Sequence, residues 1–395
     1  MEKYRILSLD GGGSWALIQV MALMDLYPEA ETGHAVLRNF DLAAANSGGS
    51  IALGGLVEDL PLKELLAFFL SEAMRKSIFV EKLHLPYTPK YSASRKLAGL
   101  QKAFPRRGRW MLPEAADDIR SASTGRPVHL LITGFDYDRS RSRFFRSASA
   151  SGPGYGDGDP AQVGLAEAIH ASTNAPVLFF DGPAMLPSEP GKRYWDGAIS
   201  GCNNPVLAGV AEAIVLGQRP EEIVALSIGT GTVCRPVAPA DGDASVLYTP
   251  RARSWFLRDL MELAGAIVDD PPDAASFLAH VMTGGAPAQP GPADSRSENR
   301  PDSRIVRMSP MIAPVRDATG TWRLPPGLNE DAFSALASLA MDAVEQKQVL
   351  AIEHLAGEWL RDNVRNQPIR MNESLERELG QDWYSQAKAA WRAIA

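Results

Sequence analysis

Residues 4–9, YRILSL, run almost wholly apolar until a glycine triplet ends them, the pattern of a short buried strand. Leu17, Val20, Met21, Leu23 and Met24 then recur at helical spacing, and Pro28 stands just past that segment. The same succession follows at once: an apolar run over 39–45, the small polar knot NSGGS, and a helical pattern from Ile51. Further strands are predicted at 127–136 (PVHLLITGFD), 177–182 (VLFFDG) and 222–231 (EIVALSIGTG), with helices between them. This alternation predicts an α/β fold, a mostly parallel central sheet covered by helices on both faces. Arg139, Arg141 and Arg143 alternate as an edge strand does.

Beyond residue 235 the pattern becomes helix-rich, with one more strand at 305–310 (IVRMSP) and amphipathic helices at 331–363 and 373–394. The segment 288–303, AQPGPADSRSENRPDS, is poor in bulky apolar residues and reads as an exposed flexible loop. The expected organisation is a core over 1–235 and a helix-rich extension over 236–395 packed on it.

Composition narrows the function classes. The 395 residues are 45% hydrophobic, ample for a sizeable core, and the net charge of −7 provides no broad basic surface for nucleic acid. Cys202 and Cys234 are too few for a disulfide framework or a cysteine-rich metal site and are expected as small buried residues. The chain enters folded-domain pattern within a few residues, and Glu58, Asp59, Pro61, Lys63 and Glu64 interrupt the apolar stretch at 51–70, so the expectation is a soluble cytoplasmic protein.

Three short stretches carry chemistry. A nucleophilic serine needs a sharp strand-to-helix turn among residues small enough for the chain to double back, as in G-x-S-x-G. Ser47 lies between such a strand and helix, with Ala45 at the leading glycine position and Gly49 at the trailing one; a plain turn is the alternative. In LDGGGSWA, residues 9–16, Gly11, Gly12 and Gly13 precede a helix, where backbone amides and the helix dipole favour an anion such as an oxyanion. Gly11, Gly13 and Ala16 also fit the dinucleotide pattern G-x-G-x-x-A, but the following strand ends in the Ser47 knot instead of the acidic residue that pattern needs. In RYWDGAISGCNNP, residues 193–205, Asp196 ends a strand, and Asn203, Asn204 and Pro205 suit a helix start. A Ser-His-Asp arrangement remains open through His280 or His354, which follow Asp196, whereas His170 precedes it. Leu65, Leu66, Phe68, Phe69 and Leu70 suit core or an acyl channel.

Together, SLDGGG at 8–13, FDLAAANSGGS at 40–50 and DGA at 196–198 followed by NNP resemble the patatin-like phospholipase family, with AIHASTNAPVLF at 168–179 and LSIGTG at 226–231 in support. The likeness covers residues 4–235. It implies a three-layer α/β fold, a lipid acyl hydrolase with Ser47 as nucleophile and Asp196 as base, and an oxyanion hole from the amides of Gly11, Gly12 and Gly13 with Gly48 beside them. It implies no metal or organic cofactor, a lipid ester substrate, and transient contact with a membrane surface. The sequence departs from the family at Trp15 and Ala16, where a basic residue and a glycine are usual, and at Ala45. A non-catalytic lipid binder is the other reading of those departures.

Overall fold

The structure, a computed structural model, describes residues 3–82, 88–148, 162–176, 179–238, 245–250, 271–285, 303–372 and 377–395. The segment expected as a flexible loop lies outside them apart from Ser303. Eight strands form the main sheet: β1 (Tyr4–Leu9), β2 (Leu42–Ala45), β3 (His129–Asp136), β4 (Arg141–Arg146), β5 (Ala184–Leu186), β6 (Glu189–Asp196), β7 (Ile223–Ile228) and β8 (Ile305–Met308). β3, β2, β1, β7 and β8 lie side by side and parallel; β4 and β6 run antiparallel to β3, and β5 pairs back on β6.

Successive residues of β1 and β2 point to opposite faces. Leu7, Leu9, Ala43 and Ala45 join one core with α1 (Leu17–Leu26), α2 (Ser47–Val57), α3 (Ala93–Ala103) and α4 (Leu165–Ser172). Ile6, Leu42 and Ala44 join the other with α5 (Val206–Val215) and α6 (Pro271–Met282). The fold is therefore α/β in three layers, as the sequence predicts. Leu65, Phe68 and Phe69 are plain core. The residues expected as a C-terminal extension add β8 to this same sheet, and α8 (Gln346–Leu360) and α9 (Tyr384–Ile394) bury Trp359 and Trp391 in the first core.

Four expectations are corrected, the first being the helix predicted over 373–394, which is α9 alone from Tyr384, while 377–379 form a short strand paired with 370–372. Among the described residues of 177–182 there is no strand: Phe180 makes a single bridge to Tyr91 and packs its ring with Phe79 and Tyr91, and the β5–β6 hairpin follows instead. The helix predicted at 331–363 is two, α7 (Glu330–Ser338) and α8, separated by a strap over 339–345 whose carbonyls bond side chains and amides elsewhere in the fold. Cys202 is half-buried and Cys234 exposed, instead of both being buried.

The register on β3 prepares the site. β4 pairs with residues 131–136 and so takes one edge of β3. The other edge is shared: β2 ends with Ala45 opposite Ile132, and β6, running the other way, ends with Asp196 opposite Gly134. Two strand ends thus meet head-on across Thr133. Ser47 and Asp196 therefore follow strands that run in opposite directions, β2 parallel and β6 antiparallel to β3.

Candidate active site

β2 passes into α2 through Asn46 alone, which is extended (φ −129°, ψ 147°), and Ser47 then takes φ +45°. A residue with a β-carbon pays about 1–2 kcal/mol in this left-handed region, so the position is held by its surroundings. Ala45 stays in the strand and is not among the residues with positive φ; the backbone strain of the elbow falls on Ser47. The start of α2 lies directly on the glycine loop. A β-carbon on Gly48 would stand 2.4 Å from Gly13 O and 2.5 Å from Gly13 N, and one on Gly49 would stand 2.4 Å from Leu9 O.

Asn46 ties the two strand ends together. Its Nδ2 donates to Asp196 Oδ1 at 3.0 Å, while its Oδ1 accepts from Thr133 Oγ1 at 2.6 Å and from Ser172 Oγ at 3.4 Å. Ser172 Oγ in turn accepts the Ser47 amide at 2.9 Å. Asp196 is 3% exposed and also accepts the Ala198 amide at 2.9 Å. Burial pushes its carboxyl above the usual range; the Ala198 amide, the adjacent Ser47 hydroxyl, Asn46 and Lys96 pull it back. Ser47, itself buried, and Asp196 are thus brought together, with Asn46, Thr133 and Ser172 as supports that motif reading missed. Thr133 and Ser172 have polar side chains at buried positions of a strand and a helix, which is the signal that could have marked them.

The glycine loop divides its amides. Gly11 N donates to Asn203 O at 2.8 Å, so its expected place among the oxyanion donors is corrected: that proton is already used. Gly11 serves by its small size, since a β-carbon there would meet Asn203 Oδ1 at 2.2 Å and Ser47 Cβ at 3.0 Å. The amides of Gly12, Gly13 and Gly48 have no acceptor among the described residues. Gly12 (φ +153°) and Gly13 (φ +57°) hold backbone shapes that side chains disfavour. Thr230, from the LSIGTG stretch, locks the loop by donating to Gly11 O at 2.6 Å, and Gln19 Nε2 bonds Asp10 O and Ile228 O. Under the loop, Asp10 pairs with Arg307 of β8 at 2.6 Å, both 3% exposed at the side chain.

Lys96 and His170 complete the polar surroundings. Lys96, fully buried on α3, donates to Asn174 Oδ1 at 2.9 Å and lies 3.9 Å from the Phe180 ring centroid; the Asn174 carbonyl accepts the Asp196 amide at 3.1 Å. Burial drives the Lys96 amine far below the lysine range, with Asp196 drawing it up. His170 is held neutral by burial and by Lys96. His280 sits on the opposite face of the sheet, its Nδ1 2.9 Å from Ser303 Oγ, and His354 is exposed on α8. Among the described residues no histidine bonds Ser47 or Asp196.

A strap closes the site. Ser14 N donates to Met341 O at 3.1 Å and Trp15 Nε1 to Ala340 O at 3.2 Å, so the tryptophan at the family's basic position holds the strap. Arg75 binds the far end through Val344 O at 2.8 and 3.0 Å. The remaining cavity beside Ser47, about 10 Å³, has room for about one water molecule.

Fold and site together describe an α/β protein in which a serine elbow faces a glycine loop and a buried carboxylate. A model of the family described as patatin-like phospholipase matches residues 7–229, more than half of the chain, and the chain belongs to that family. Over 242 residues, 58% of its length, it is 26% identical to a Caenorhabditis elegans protein named intracellular phospholipase A2, and it spans only 20% of that relative. Among solved structures, VipD from Legionella pneumophila matches at a TM-score of 0.37 with 10% identity, covering 89% of this chain and 67% of that one.

Proposed function

We propose that the chain is a lipid acyl hydrolase, a phospholipase A-like serine esterase acting through Ser47 and Asp196. The observation that carries this reading is the head-on meeting of β2 and β6, which sets a strained serine beside a buried carboxylate whose affinity for a proton is raised. Family membership and the name of the C. elegans relative support a lipid ester as substrate; in this reading the chain reaches it by transient contact with a membrane surface.

In this scheme Asp196 takes the Ser47 proton as Oγ attacks the ester carbonyl carbon. The amides of Gly12, Gly13 and Gly48 receive the oxyanion, each good donor supplying about 2.7–4 kcal/mol in the transition state. Collapse breaks the bond to the alcohol, which leaves with the proton from Asp196, and an acyl-enzyme remains. Asp196 then takes a proton from water, the hydroxide attacks the acyl carbon, and the fatty acid departs as Ser47 regains its proton.

The test is hydrolysis of p-nitrophenyl esters of short and long acyl chains, then of mixed phospholipid vesicles. Ser47→Ala should lose at least about 10⁴-fold and Asp196→Asn about 10³-fold or more, while His280→Ala and His354→Ala stay near wild type. A fluorophosphonate should label wild type and not Ser47→Ala. Equal loss in a histidine variant would overturn the two-residue mechanism; a wild type inert on every ester and unlabelled would overturn the hydrolase.

A further inference from the structure

The cavity beside Ser47 is walled by Gly13 of the glycine loop, Gly48 of the elbow, Thr173, several apolar side chains and Asp342 of the strap. Among the described residues that line it, Asp342 is the only charged one, and Asp196 is not one of them. With room for about one water molecule, the space suits the second reactant of an ester hydrolysis, not the ester itself. Asp342 is buried, and its two carboxylate oxygens are used unequally. Oδ2 accepts both the Tyr91 hydroxyl at 2.8 Å and the Lys90 ammonium at 2.9 Å, which fixes the carboxylate in place. Oδ1 has no hydrogen-bond partner among the described residues. An unused carboxylate oxygen thus belongs to a residue that walls a water-sized space against the nucleophile.

We propose that Asp342 is a further catalytic residue, which holds the water that hydrolyses the acyl-enzyme. The inference rests on the ester-hydrolase reading and concerns its second half-reaction. While the acyl group is on Ser47, its carbonyl oxygen takes the amides of Gly12, Gly13 and Gly48, so the water must place its hydrogens elsewhere. Asp196 takes one of them as a proton, and Asp342 Oδ1 accepts the other as a hydrogen bond. With both hydrogens engaged, a lone pair of the water oxygen is left to attack the acyl carbon. The new C–O bond forms as the proton passes to Asp196; collapse then breaks the bond to Ser47 Oγ, which takes that proton back. The hydrogen held by Asp342 leaves on the fatty acid. Attack of Ser47 on the ester involves no water, so acylation does not call on Asp342.

Asp342→Asn keeps the side-chain volume and can still accept from Tyr91 and Lys90 through its carbonyl, which leaves an NH2 donor where the free acceptor was. Rapid-quench kinetics of the full chain on p-nitrophenyl butyrate, with intact-mass measurement, separate the two half-reactions. The variant should release its first equivalent of p-nitrophenol, and react with a fluorophosphonate, within about twofold of the wild-type rates. Its steady-state turnover should fall at least about tenfold, and the butyryl-enzyme should accumulate in the mass spectrum. Acylation and labelling slowed as much as turnover, with no acyl-enzyme, would give Asp342 a structural role only and overturn the proposal; so would turnover at the wild-type rate. Should Asp342→Asn fail to fold, Tyr91→Phe removes one of the bonds that fix the carboxylate. It should slow deacylation at least about threefold at an unchanged labelling rate, and no loss, or equal loss in both steps, overturns the role of Asp342. A wild type that neither turns over nor labels removes the hydrolase reading itself, whereas a wild type that does both beside an unaffected Asp342→Asn removes only the part given to Asp342.

Discussion

Lys96 is fully buried, with its ammonium against the Asn174 amide oxygen and the face of Phe180. Burial favours its neutral amine and favours the protonated form of Asp196, while each group's charge favours the charged form of the other. The other groups facing this pair are His170, which is neutral, and the Asn46, Ser47 and Ala198 donors on the carboxylate. A base must be ionised to act, so kcat/KM should rise with pH through the Asp196 titration, above the ordinary carboxylate range. Lys96→Met removes a charge that lowers that titration, and the acid limb should therefore move to higher pH. A pH profile on a soluble ester checks this, and an unmoved limb would leave Lys96 only a packing role. Nothing in ASRKLAGLQKA distinguishes Lys96 from a solvent-facing helical lysine; its burial is set by contacts that residues 174 and 180 make from far along the chain.

The elbow and the glycine loop work as one element because each lacks side chains where the other passes. All three atoms nearest a β-carbon on Gly48 are backbone atoms of Gly13, which cannot swing aside. Gly48→Ala should therefore push the loop away and misalign amide donors that count only once charge develops on the substrate oxygen. The expected result is a kcat reduced about 10²–10³-fold with a much smaller change in KM. Steady-state kinetics on p-nitrophenyl esters distinguishes this from a KM effect, which would place the loop in ground-state binding. Both strand–loop–helix units are legible in sequence because short apolar runs, glycines and helical periodicity are local signals. The β5–β6 hairpin is not, since EPGKRYWD contains a proline, a glycine and several polar residues and is held by pairing with distant β3. The strap is hidden as well: SLAMDAVEQ contains no glycine or proline, and the helix breaks because Ser14, Trp15 and Arg75 satisfy its carbonyls from outside. Ser47 and Asp196 were therefore readable as motif residues, whereas what holds them together was not.

Across the whole molecule, the C-terminal part enters the site's foundation as well as its cover. Arg307 lies on β8, far beyond the family match at 7–229, yet it neutralises Asp10 at the root of the glycine loop and also bonds Ser227 Oγ at 2.9 Å. Removing one member of a buried ion pair leaves the other charge without compensation, a cost of about 3–5 kcal/mol, so Arg307→Met should be strongly destabilised. Asp10→Asn added to it removes the stranded charge and should recover much of that loss, since the pair couples directly and the two effects are not additive. The pH dependence gives the sign independently. Burial lifts the Asp10 carboxyl to about 6 even with Arg307 present, so the folded state holds more protons than the unfolded state between the ordinary aspartate value and that titration, and stability falls as pH rises through this window. Without Arg307 the titration moves higher, and the fall should extend past pH 6 in Arg307→Met but vanish in the double variant. Urea unfolding at a series of pH values measures all three proteins. If the double variant were no more stable than Arg307→Met, the guanidinium would be acting through Ser227 and its packing in the sheet, and not as the counter-charge of the loop.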